Sequence, residues 1–202
     1  MTILGYHGTT RTIAERIVSE ELTFRVSNND GDWLGKGAYF FQDAPARALA
    51  WARRYKATPE EEAAVVVAEI TPRASVDFLD VTAFARMASL KREFEAYEQR
   101  AGMPSHQGGL KVVGGSARMV VKAGESNPGL ISNERDRAFI NWCVETLSEV
   151  GVSVDVVRAP FLFGQALFSS SFLFDESHVQ LAVRNTDIIK PIRVITESSY
   201  PI

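Results

Sequence analysis

The sequence predicts one α+β domain, on three observations. The chain has 202 residues, 46% hydrophobic and 23% charged, with 14 Gly and 8 Pro, an ordinary soluble, globular balance with enough length to bury a core. Helical and extended patterns are mixed without regular βαβ alternation, which favours α+β over a doubly wound sheet. No repeat, low-complexity tract or composition break divides positions 1–202, so a single domain is expected.

Residues 2–6 form a short apolar strand candidate followed by a tight turn. Thr10 then caps a helix in which Ile13, Ala14, Ile17 and Val18 recur at helical spacing. The polar run 27–32, SNNDGD, is a loop, and 33–41 is a glycine-punctuated apolar segment ending in aromatics. Asp43 or a neighbour caps the next helix. That helix places Ala44, Ala48, Trp51 and Tyr55 on one face and Arg47, Arg53, Arg54 and Lys56 over much of the rest.

The run 63–70, AAVVVAEI, is continuous, short and β-branched, which favours a strand buried on both faces. Val76, Phe78 and Val81 continue in a second strand. Residues 82–100 read as one helix ending near Gly102 and Pro104. The glycine-rich stretch 102–133 reads as a long loop or irregular hairpin. A helix over 134–150 follows, stopped by Gly151, and then strand candidates at 152–157, 172–174, 178–183 and 188–195.

Charge and cysteine usage exclude several classes. Twenty-two basic and 25 acidic side chains leave a net charge of -3, too little for a domain that wraps duplex DNA by phosphate neutralisation alone. The lone Cys143 allows no intrachain disulfide and no Cys-cluster metal site, which fits a reducing cytoplasm. No signal-peptide pattern opens the chain and no apolar run approaches a membrane span. Gly35-Lys36-Gly37 is followed by Ala38 and Tyr39, so it is not a phosphate-binding P-loop, and no dinucleotide fingerprint or nucleophile elbow is present. His7, His106 and His178 lack the spaced partners of a local metal site, so no metal is expected.

Three stretches remain: GYHGTT at the start, WLGKGAYFF some thirty residues on, and ESHVQLAV near the end, each on or beside a strand candidate. Together they resemble the ADP-ribosyltransferase superfamily, in its diphtheria-toxin-like and poly(ADP-ribose)-polymerase-like branch. His7-Gly8-Thr9 matches its His-Gly-Ser/Thr motif and residues 35–40 match its Gly-Lys-Gly-x-Tyr-Phe strand. The late motif is weaker, and 102–171 has no placed counterpart.

The resemblance implies two packed, mostly antiparallel sheets flanked by helices and forming an NAD cleft. It implies that His7 bonds the adenosine ribose, that the Gly8 backbone and Thr9 hydroxyl hold the nicotinamide carboxamide, and that Tyr39 stacks on the nicotinamide ring. Gly37 is expected to approach the ligand closely, Trp51 to supply a second aromatic, and the basic group Arg47, Arg53, Arg54 and Lys56 to steer the NAD phosphates or an RNA or DNA acceptor.

In many relatives a late Glu bonds the nicotinamide ribose. Here Glu176, His178 and Gln180 share one side of the last motif by period two. Gln180 is the expected third pocket residue and Glu176 its rival. A neutral amide is no general base, which favours a single transfer over polymer elongation.

The implied activity is mono-ADP-ribosylation of a protein or nucleic acid with NAD as substrate, as in a bacterial toxin or defence effector with a cognate neutralising antitoxin. The alternatives are an NAD glycohydrolase and a non-catalytic NAD or ADP-ribose-binding module. A module with no small-molecule site would show no thermal shift with NAD. The aromatic run Phe161, Phe163, Phe168, Phe172 and Phe174 reads mostly as core, and the resemblance implies a flap that presents one or two of these aromatics to an acceptor.

Overall fold

A computed structural model describes residues 2–29, 31–102, 109–113, 116–120, 134–169 and 171–200. In chain order, β1 (Ile3–Thr10) runs directly into α1 (Arg11–Val18), and β2 (Ala38–Gln42) is followed by α2 (Pro45–Tyr55). Next come β3 (Ala63–Ile70), β4 (Ser75–Asp77), α3 (Val81–Ser89) and α4 (Lys91–Ala101). A hairpin of β5 (Gly109–Val113) and β6 (Ser116–Val120) precedes α5 (Glu134–Glu149). The chain closes with β7 (Val156–Phe161), β8 (His178–Val183) and β9 (Ile189–Thr196).

The fold is α+β, but the strands do not form two packed sheets. Seven of them make one mixed sheet in the order β4-β7-β8-β2-β1-β3-β9, and β5-β6 stand apart as a two-stranded ladder. Among the described residues only β4 and β7 pair in parallel. The stretches that carry the three motifs, distant in sequence, thus lie on or lead into neighbouring strands β8, β2 and β1.

Helices cover both faces. On the first face, Ala14 and Ile17 of α1 pack with Phe24, Phe40, Val66, Ile70 and Leu181. On the second, α2 seats Ala48, Leu49 and Ala52 against Tyr6, Phe41, Val65 and Val67. Further along that face, α5 seats Ile140, Cys143 and Val144 against Val157, Ala159 and Ala182. β3 is buried on both sides along nearly its whole length, as its unbroken β-branched run requires. Burial pushes the Cys143 thiol up to about 12, as for a packing residue.

Several expected boundaries move. His7 to Thr10 are strand, not turn, and Thr10 stands at the α1 N-cap position without a side-chain cap bond. The N-cap of α2 is Ala44, the neighbour of Asp43, and it makes no side-chain cap bond. Val81 opens α3 instead of extending a strand, because the Asp80 carboxylate caps that helix by accepting the Thr82 amide. The single helix expected over 82–100 is two, divided at Leu90, and Gly102 ends the second in the left-handed conformation. Phe174 makes one bridge to Ala166; of the aromatic run, Phe168 and Phe172 are exposed and Phe161, Phe163 and Phe174 are half-buried. Apart from β5 and β6, most of the stretch expected as a loop over 102–133 lies outside the described residues. Among the described residues no helix is long and apolar enough to cross a membrane.

Candidate functional site

β1 and β2 pair only at Gly5↔Gln42 and Tyr6↔Phe41, although β1 continues to Thr10 and β2 begins at Ala38. The Asp43 amide donates to the Leu4 carbonyl at 3.3 Å, and the Arg11 amide to the Glu62 carbonyl beyond the end of β3. These bonds fix the alternation: Leu4, Tyr6 and Gly8 turn their amides and carbonyls toward β2, and the odd-numbered residues turn theirs toward β3. In a continued ladder the Gly8 amide would donate to the Tyr39 carbonyl. His7 takes that carbonyl instead, its Nδ1 donating at 2.8 Å.

The imidazole is therefore a wedge that holds the two strands apart. Gly8 is buried, and its peptide faces an edge where the ladder supplies no partner strand. A buried amide in that position calls for another partner. Burial lowers the pKa of His7 below its ordinary 6.5, so the ring is neutral, with Nδ1 protonated and Nε2 an acceptor.

On the second face, α2 lies directly over Gly8. A Cβ there would come within 2.6 Å of the Ala48 carbonyl oxygen and 3.1 Å of the Trp51 ring, so only glycine lets the helix seat. Between the α2 and α5 packing clusters the same face presents Tyr39 and Phe41 from β2 and His178 and Gln180 from β8. The register sets Phe41 opposite Gln180 and Tyr39 opposite Ala182. The Tyr39 hydroxyl donates to the Gly35 carbonyl at 2.7 Å and accepts the Leu34 amide at 2.9 Å, and burial raises its pKa far above the ordinary 10.0. Its half-buried ring is thereby locked in place.

Arg47 of α2 reaches over this floor. Its guanidinium carbon lies 5.6 Å from the Phe41 ring and 5.7 Å from that of Phe163, and Nη2 pairs with Glu176 at 3.0 Å. Its Nε is buried and has no hydrogen-bond partner among the described residues. Beneath it His178 bonds the Glu176 carbonyl through Nδ1 at 2.6 Å and the Gln180 amide nitrogen through Nε2 at 3.0 Å. Burial lowers the His178 pKa, the Glu176 carbonyl raises it, and the Arg47 charge lowers it again.

Of the residues expected at a site, the structure thus brings Tyr39, Trp51, Arg47 and Gln180, with the Gly8 backbone, to the second face, and Glu176 joins them through Arg47. It does not bring the His7 and Thr9 side chains there. Odd positions of β1 point to the first face, where the His7 ring centroid lies 5.4 Å from Phe24 and 5.5 Å from Phe40, and where Thr9 is buried. Gly37 is also otherwise engaged: its peptide exchanges bonds with Ser27 at 2.9 and 3.0 Å, and a Cβ there would lie 2.9 Å from Ala182.

His178, expected with Glu176 and Gln180 on the polar side of the last motif, lies on that side of β8 and joins the site through Gln180. One residue enters that was not expected. Asn141 of α5 accepts the Lys36 amide at 2.9 Å and Arg184 Nη2 at 3.0 Å, which pins the Gly35–Lys36 turn below Tyr39. Nothing local in the sequence marks it, because the contact spans 105 positions.

Among the described residues no group of three or more His, Cys, Asp or Glu side chains is placed to hold a metal ion. A cavity of about 260 Å³ lies apart from these residues, between α3, α4 and α5, with Phe84, Met87, Phe94 and Phe139 in its walls. Most of its surface is apolar, with Lys91, Arg135 and Asp136 also in the lining; Lys91 pairs with Glu95 at 3.6 Å and Arg135 with Glu98 at 2.9 Å. Comparison with models of protein families, with curated proteins and with solved structures finds no match for this chain.

Proposed function

We propose that this chain is a mono-ADP-ribosyltransferase that cleaves NAD and passes ADP-ribose to a protein or nucleic acid. The observation that carries the reading is the opening between β1 and β2. It leaves the Gly8 peptide outside the β1–β2 ladder, with Tyr39 across the gap on β2 and Gln180 on the adjoining strand.

The donor set suits a primary carboxamide on a flat ring. The Gly8 amide would donate to the carboxamide oxygen, the Gly8 carbonyl would accept from its NH2, and the rings of Tyr39 and Trp51 would flank the cationic pyridinium. His7 acts in this reading only through Nδ1, which keeps the edge open; its ring lies on the first face with Phe24 and Phe40. Arg47, with its unpartnered Nε–H, is suited to a phosphate oxygen. Thr9, buried on the other face, has no part in this reading.

In the reaction the bond from ribose C1 to the pyridinium nitrogen breaks, and its electron pair leaves with neutral nicotinamide. The acceptor nucleophile bonds C1 and releases its proton. Positive charge builds on the ribose meanwhile, and the Gly8 carbonyl and the π faces of Tyr39 and Trp51 are the groups that would stabilise it. Glu176 is the base nearest to hand once Arg47 turns to the phosphates. Gln180 is suited to holding a ribose hydroxyl.

A second reading has its own support: Glu176 is paired with Arg47, and His178 is occupied by Gln180. A module that binds NAD or ADP-ribose without cutting it would leave both so engaged. Incubation with labelled NAD and a cell extract, with protein, RNA and DNA fractions separated, distinguishes the outcomes. Transferase activity predicts label in one macromolecular fraction, abolished by Tyr39→Ala. Nicotinamide release without transfer indicates a glycohydrolase, binding without release indicates a reader, and no binding ends the proposal.

A further inference from the structure

We propose that His178 is a positioning residue that fixes the orientation of the Gln180 amide, so that this point of the groove accepts hydrogen bonds and takes a hydroxyl-bearing ligand such as a ribose diol. The inference rests on the NAD reading for the identity of the ligand. The orientation itself follows from the bonds alone.

The Glu176 carbonyl can only accept, so His178 Nδ1, 2.6 Å away, carries the proton. In the neutral ring Nε2 is then an acceptor, and the group 3.0 Å from it is the Gln180 amide nitrogen. One N–H of the amide is given to the histidine, and the amide carbonyl is turned away from the ring. Protonating Nε2 would oppose two donors, and the amide must then rotate by half a turn, offering NH2 where it had offered C=O.

The groups facing His178 come from every neighbouring element. Arg47 of α2 opposes a second positive charge, and Glu176, ahead of β8, favours one but is held by Arg47. The rings of Phe41 on β2 and Phe161 on β7, at 5.0 and 5.8 Å, are uncharged and keep the imidazole from turning. A neutral ring is the state this surrounding favours.

Two measurements test it. In ¹⁵N NMR of the free protein at about pH 7.5, His178 should show a protonated Nδ1 and an unprotonated Nε2. The opposite tautomer overturns the proposal whether or not NAD binds. In NAD titrations, affinity should fall roughly tenfold between about pH 7.5 and about pH 5, the loss of one good hydrogen bond.

His7 titrates as well, so the decisive comparison is with His178→Ala, which retains His7 and should lose most of that pH dependence. Gln180→Glu, an acceptor in either state of His178, should lose it too. An unchanged pH profile in both variants overturns the inference while leaving the NAD reading intact. Absence of NAD binding at every pH overturns that reading and, with it, the assigned ligand.

Discussion

His7 on β1 and His178 on β8 both donate Nδ1–H to a backbone carbonyl, of Tyr39 at 2.8 Å and of Glu176 at 2.6 Å, and burial lowers the pKa of both. They differ in what the rest of the ring meets. His7 packs on Phe24 and Phe40 and takes a carbonyl that the sheet would otherwise have used, so its effect is on the backbone. His178 takes a carbonyl outside the ladder and spends Nε2 on a neighbouring side chain, so its effect is on Gln180. One histidine opens the sheet and the other orients an amide at the opening. The same tautomer serves two tasks because the register places one ring on each face.

The sharpest way to break the His7 half of this comparison is to fill the space that the opening and α2 share. Gly8→Val should cost about 3 kcal/mol or more, since its Cβ must displace the Ala48 carbonyl and Trp51, and it should remove NAD binding. Denaturant unfolding and NAD titration together measure it. A smaller loss, about 2 kcal/mol, is expected for His7→Ala, which leaves a gap beside Phe24 and Phe40. The freed Tyr39 carbonyl can then accept the Gly8 amide. Hydrogen exchange at Gly8 should consequently slow in the variant even as global stability falls.

Tyr39→Phe should cost about 1–2 kcal/mol by stranding the Leu34 amide, while NAD affinity stays within a few-fold because the ring remains. Tyr39→Ala should lose both.

The two histidines also share a pH signature. Each has a folded pKa below the ordinary 6.5, so above that value neither state is charged and nothing is lost. As pH falls below about 6.5 the unfolded chain takes up protons that the folded one refuses, and stability declines until the folded pKa values are passed. Melting temperatures across this range should fall less steeply for His7→Ala and for His178→Ala than for the parent protein. The smallest effect is expected at Arg53, whose partner Glu197 is as exposed as it is. Arg53→Ala should change stability by no more than about 0.5 kcal/mol and leave NAD binding unaltered.

What the sequence disclosed follows the range of the interactions. The double-faced burial of β3, the limits of β8 and the body of α5 were legible because each rests on a local period. The HGTT segment was misread as a turn because Gly8 there serves the seating of α2, a contact forty positions away, and not a reversal of the chain. The break at Leu90 lies in a run of uniformly good helix formers. Met87 and Phe94 on either side are buried, and that packing has no local marker. Strand order is the least local property of all, so a seven-stranded sheet and a separate two-stranded ladder stand where two packed sheets were expected. The motif residues themselves were legible, but not which face each would occupy: the β1 register sends His7 and Thr9 one way and the Gly8 surface the other.

The central claim is that the Gly8 peptide, freed by His7, is the carboxamide-binding edge. The amide resonance of Gly8 during titration of ¹⁵N-labelled protein with NAD tests it most directly. The account predicts a downfield shift of the Gly8 proton and slower solvent exchange as NAD saturates, both absent in His7→Ala. A Gly8 resonance that stays in place while NAD binds elsewhere, or that already exchanges as slowly as a paired strand amide without ligand, would contradict it.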